Sequence, residues 1–186
     1  MYDVFLSHAW GKDHAQLVQC FIKGGGVGFL VAISTAFADG YLSGSEASFQ
    51  CAIAVHSLSA LAWQPNCART IVQLGGINSL IRLANSEASP DGLLEDVAAT
   101  LGAIASHGEH AELIAHTGGL CTLIKLSTAG GYGKHASAEV QPGNLPSSNS
   151  AVRERAGEAV AILSSKLAGA RRKALWASEE AGAELW

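Results

Sequence analysis

The sequence predicts an all-α chain built from about three copies of one helical unit. Three segments align without a gap: GGVGFLVAIS from Gly25, GGINSLIRLA from Gly75 and GGLCTLIKLS from Gly118. Their apolar offsets fit one face of a helix rather than alternate positions of a strand. After Ile33 no alternation of strand and helix patterns remains, and an α/β fold needs one.

The elements follow in order. Val4, Phe5 and Leu6 run into Ser7, His8 and Ala9, which predicts a short buried strand delivering a polar turn. DHAQLVQCFIKGGG then reads as a short helix ending in glycines, a form repeated in NCARTIVQLGG and EHAELIAHTGG. A glycine pair closes each short helix because a C-terminal cap takes a left-handed residue. The helix after each pair carries four apolar columns: Val27, Ile77, Leu120; Leu30, Leu80, Leu123; Val31, Ile81, Ile124; and Ile33, Leu83, Leu126. A longer helix follows each of these, in SFQCAIAVHSLSALAW, LLEDVAATLGAIAS and AVRERAGEAVAILSS. Ala54, Leu58 and Leu61 match Val97, Leu101 and Ile104, and then Ala156, Val160 and Leu163, as core positions.

The second glycine recurs at Gly26, Gly76, Gly119 and Gly182, with irregular spacings of 50, 43 and 63 residues. The excess falls between the two longer helices of each unit. The last insert is rich in Gly, Ser and Pro and predicts a mobile loop over 128–150. Ala181-Gly182-Ala183 reads as the start of a further unit that stops at Trp186. The sequence thus looks cut at both ends, and exposed ends imply self-association.

The three-helix unit with Gly-Gly and a following aliphatic resembles the armadillo repeat over residues 13–186. The resemblance implies a right-handed superhelix of about three repeats acting as a protein-interaction scaffold. Residues 1–12, with YDVFLSHA, resemble the first strand and loop of a Toll/interleukin-receptor-like (TIR) domain. Some members of that family cleave NAD through a glutamate on a later helix, and no position here matches that segment. A vestigial TIR-like strand before an armadillo-like array implies a non-enzymatic chain in cytoplasmic signal transduction, without cofactor. The alternative is a regulatory remnant of a TIR-type NAD hydrolase.

Armadillo arrays that carry import signals use a ladder of Trp and Asn on the third helix. Here the Trp column holds His56, Ala99 and Glu158, and the Asn column holds Ala60, Ala103 and Ile162. With Trp63 and His107 these define the expected partner groove. Its apolar and weakly polar character suits an apolar or amphipathic helix better than a basic peptide.

Composition narrows the partners. Hydrophobic residues make up 48% and charged residues 15%, enough to fold. A net charge of −4 gives no reason to expect nucleic-acid binding. Arg171, Arg172 and Lys173 sit near Glu179 and Glu180 and read as a solvated helix face. No run approaches the ~18–20 apolar residues of a membrane span.

Four cysteines without a C-x-x-C pair read as small buried residues of a reduced intracellular protein. Gly24–Gly28 completes neither dinucleotide nor P-loop patterns. His107, His110 and His116, with Glu109 and Glu112, are not H-E-x-x-H and read as surface polar residues rather than a metal site. Trp63 and Trp176 are placed at or beyond helix ends. No nucleophile, base and orienting group stand in a recognisable set.

Overall fold

A computed structural model describes residues 20–86, 89–128 and 147–183, and every element among them is a helix. After a helical turn at 20–23 come α1 (Gly26–Ala38), α2 (Ser45–Leu61), α3 (Pro65–Gln73) and α4 (Gly76–Ala84). Then follow α5 (Asp91–Ser106), α6 (Ala111–His116), α7 (Gly119–Thr128) and α8 (Ser147–Ala183). The expected TIR-like strand at 1–12 lies outside the described residues.

Local sequence explains the boundaries. Gly25, Gly75 and Gly118 take φ of +79°, +76° and +88°, a conformation that costs any residue with a Cβ about 1–2 kcal/mol. The second glycine of each pair serves a different end. A Cβ on Gly76 would stand 2.6 Å from Ile71 Cγ2, and one on Gly119 would stand 2.5 Å from Ile114 Cγ2. In the first unit the Phe21 ring occupies the same place against Gly26. The short helix is therefore folded tightly onto the start of the next. Pro65 opens α3 at a position whose N–H has no helical acceptor. Asp91 places a carboxylate in the first turn of α5, where the helix dipole favours it.

Two rows of helices result. In one, α1 contacts α4 and α4 contacts α7; in the other, α2 contacts α5 and α5 contacts α8. Each helix of the first row packs on the helix that follows it in the second, with α3 and α6 as short connectors. On α2 the buried stripe is Ala47, Cys51, Ala54, Val55 and Leu58, one face at a spacing of three and four. Helix α5 stands between α2 and α8 and is buried all round from Thr100 to Ala105. Gly102 lets α8 come close: a Cβ there would stand 3.0 Å from that of Ala159.

Most of the expected core columns are inside, Ile33 being a half-buried exception outside the core cluster. Leu58, Val97, Leu101, Ile104, Ala156 and Leu163 are at most 1% exposed, and Val160 packs half-buried against them. Ile124 departs from its column at 43% exposed, because α7 is the outer helix of its row.

The loop expected over 128–150 is described only at its ends. Thr128 is the last residue of α7, and residues 147–150 already belong to α8. The rest of that span, 129–146, lies outside the described residues. The second expectation that fails is the restart at Gly182, since α8 runs as one helix of 37 residues through Ala183. There Ala181 stands where the three turns carry a left-handed glycine, and its Cβ disfavours that turn. Trp176 accordingly lies within α8 and not beyond a helix end. Finally, only Cys51 and Cys67 are buried; Cys20 and Cys121 are exposed, on outer faces that no described helix covers.

Candidate protein-docking strip

The expected groove residues sit on the second row. His56 and Ala60 are exposed on α2, and Trp63, just past its end, is 51% exposed. On α5 Ala99 is half-buried, and His107 caps the helix, also half-buried. On α8 Glu158 is exposed and Ile162 half-buried. Ala103 is the exception. It has no exposed surface, because α5 is enclosed by both its row neighbours, so it belongs to the core and not to the strip.

Hydrogen bonds tie the strip across its helices. The His107 ring reaches the carbonyl of Ala62, with Nε2 at 2.8 Å. A carbonyl only accepts, so Nε2 carries the hydrogen. This bond fixes the end of α5 beside Trp63. The Nδ1 of His56 donates to Asp96 on α5, 3.1 Å from Oδ1. Arg155 on α8 lies 3.6 Å from Glu95 on α5 and 3.3 Å from Glu158 on its own helix. An imidazole–carboxylate hydrogen bond and an ion pair thus bridge α2, α5 and α8. Each pair is exposed, worth at most about 1 kcal/mol, and their effect is chiefly to hold the helices in register.

Sequence reasoning overlooked Glu95, Asp96 and Arg155. The signal was present: Asp96 and Arg155 occupy the same column as Ile53 once Ala54, Val97 and Ala156 are aligned. The column swaps an apolar residue for an acid and then a base.

The histidine cluster between α5 and α6 is only partly a surface feature. His110 is 8% exposed at the start of α6, because that turn is pressed into the core through Ala111 and Ile114. Its Nε2 lies 3.2 Å from Glu109 Oε1, but off the direction of a hydrogen bond, so the buried atom has no partner of that kind. Burial holds its imidazole below the ordinary range; the Glu109 carboxylate opposes this, while His107 and Arg69 add to it. Glu109 instead pairs with Arg69 on α3 at 3.3 Å. Among the described residues no three His, Cys, Asp or Glu side chains stand close enough to hold a metal. Burial also pushes the Cys51 thiol up to about 11 and raises that of Cys67, which keeps both protonated and inert. No described helix is long and apolar enough to cross a membrane.

No protein-family model, curated protein or solved structure matches this chain. The strip is therefore to be read from its own side chains. It offers an exposed indole and small apolar surface between ion-paired edges, which are means of binding a side chain or a helix face.

Proposed function

We propose that the chain is a non-enzymatic scaffold, an armadillo-like right-handed superhelix of about three repeats that binds a protein or peptide along the second row. One observation carries the repeat reading. Thr35 on α1 and Ser79 on α4 are joined through their hydroxyls at 2.7 Å. Asn85 on α4 donates to Thr122 on α7 at 3.3 Å. Counted from Gly26, Gly76 and Gly119, these are the same two positions of consecutive units, so one contact is made twice by translation along a row. A stack that repeats its interface in this way is the basis of a solenoid.

The groove reading draws support from Trp63, a large aromatic side chain left half in solvent beside exposed Ala60. Aromatic anchors of this kind dominate binding energy. An amphipathic helix would seat an apolar face there and place polar groups toward His56 and Glu158. The TIR-like opening and a role in cytoplasmic signalling belong to the same proposal. Four unpaired cysteines fit a reducing compartment.

The experiment is a pull-down with the full chain, comparing Trp63→Ala with Arg171→Ala after circular dichroism confirms that both remain helical. Trp63→Ala should weaken the recovered partner by more than ~1 kcal/mol, and Arg171→Ala should change it little. Loss in the Arg171 variant with full binding by the Trp63 variant moves the site off the strip. Incubation of the same protein with NAD should release no nicotinamide. Turnover abolished by a substitution within residues 1–12 would favour the hydrolase-remnant alternative.

A further inference from the structure

We infer that the face of α1 and α2 turned away from α4 and α5 joins two copies of the chain across a two-fold axis. The inference goes beyond groove binding and uses a different surface, though it shares the repeat register.

The register shows what that face is made for. Within the stack, each unit meets the one before it through polar groups at its rim. Ser79 and Thr122 meet Thr35 and Asn85. Arg82 pairs with Asp39 and donates to the Ala38 carbonyl. Asp96 accepts from His56, and Arg155 lies against Glu95. In the first unit the corresponding positions hold Phe29, Ala32 and Ile53. On the paired helices themselves, the three positions that make these polar contacts to a preceding unit are apolar here; only the turn positions of His107 and Glu109 keep polar counterparts, Gln64 and Asn66. Phe29 is 67% exposed and Ile53 50%, and they are joined by Phe49 at 66%.

That substitution selects the occupant. Another unit of the same kind would bring a Thr or Asn, a carboxylate and an imidazole against Phe29, Ala32 and Ile53. Those groups would lose water and gain no partner. The apolar face suits itself instead, and an isologous contact requires such self-complementarity. Its polar neighbours are already engaged within the chain: Gln50 with Glu46, and the Ser57 hydroxyl with the Ile53 carbonyl. With side chains that present about 150–250 Å² for each aromatic, the patch is on the order of 400 Å² per copy. Two copies bury about 800 Å², the size of a weak and reversible contact rather than an obligate one.

The test is sedimentation velocity of the full chain on the order of 1–100 µM, the range in which interfaces of that size associate. The expected result is a monomer–dimer equilibrium that stops at two. The double variant Phe29→Ser with Ile53→Asp copies the residues of the next unit at exposed positions. It should weaken the dimer at least ~30-fold, as two apolar anchors do when lost, with unchanged helical content. Phe49→Asn alone, a milder change, should weaken it several-fold should the double variant lose helicity. Trp63→Ala should leave the dimer intact, which separates this contact from the groove. A monomer at every concentration, growth beyond two copies, or a dimer that ignores the Phe29, Ile53 and Phe49 changes would overturn the inference.

Discussion

Gly75 and Gly76 are adjacent and do unrelated work. The first lies at positive φ with open space around its α-carbon, and the second is straight helix pressed against Ile71. The glycine pairs were legible in the sequence as turns, but the reason for the second glycine was not. It becomes readable only with the residue five positions earlier, a bulky side chain in all three copies: Phe21, Ile71 and Ile114. His110 was harder to read. Its polar neighbours suggest solvent, yet it shares a register position with Cys67, and both are buried. Its lowered pKa has a consequence for stability. In the unfolded chain the imidazole takes a proton as pH falls through about 6.5, while the folded state resists protonation. The unfolded state then binds more protons, so folding stability declines below that pH and is fully present above it. Thermal melts between pH 7.5 and about 5.5 should show wild type losing stability faster than His110→Cys, the residue of the equivalent position. Parallel curves for the two proteins would show that burial of this ring does not govern acid sensitivity.

The helices differ in how much of each could be foreseen. α2 was plain, because Ala47, Cys51, Ala54, Val55 and Leu58 trace one buried face and its other face is exposed. α5 was misread at Ala103, because a helix packed on both sides has no outer stripe, and alanine gives no sign of which way it points. α8 was cut short by reading Gly182 as half of a pair, although its partner position is Ala181. The glycines inside helices also divide by environment. Gly157 on α8 has nothing within 4 Å of where a Cβ would lie, whereas Gly102 on α5 faces Ala159 at 3.0 Å. Gly157→Ala should therefore stabilise the protein by about 0.5–1 kcal/mol through backbone entropy alone. Gly102→Ala gains the same entropy but must push α8 away, and overpacking costs about 1–3 kcal/mol. Urea unfolding monitored at 222 nm compares them: opposite signs are expected. A stabilising Gly102→Ala would mean that the α5–α8 contact yields easily.

Across the whole molecule the rows share the burden unequally. α5 touches α2 and α8 in its own row and also α3, α4 and α6, so the core passes through it. α1 and α2 have described neighbours on one side only, and α8 beyond the α5 contact carries an exposed Arg171 and Arg172. The helices were legible because their glycines and apolar columns recur. What the sequence could not give was this difference in rank between units, since each reads as a copy of the others. Stability in a stack falls toward its ends, where a unit has one neighbour in place of two. Opening free energies should follow the same order. Native-state hydrogen exchange should find the slowest amides between Val97 and Ile104, with exchange there approaching the global unfolding limit. Amides of α1 and of α8 past Leu163 should exchange through smaller openings. Leu101→Ala, which empties a site with no exposed surface, should cost about 2–5 kcal/mol and lower the protection of every helix together. Leu30→Ala, half-buried on α1, should cost less and loosen mainly the first pair. If α1 proved as protected as α5, the end of the row would have to be covered, and the contact between two copies across Phe29 and Ile53 supplies such a cover. Repeating the exchange at a concentration below dimer formation separates the two causes: protection of α1 that falls on dilution comes from the partner copy, and protection that persists comes from the chain itself.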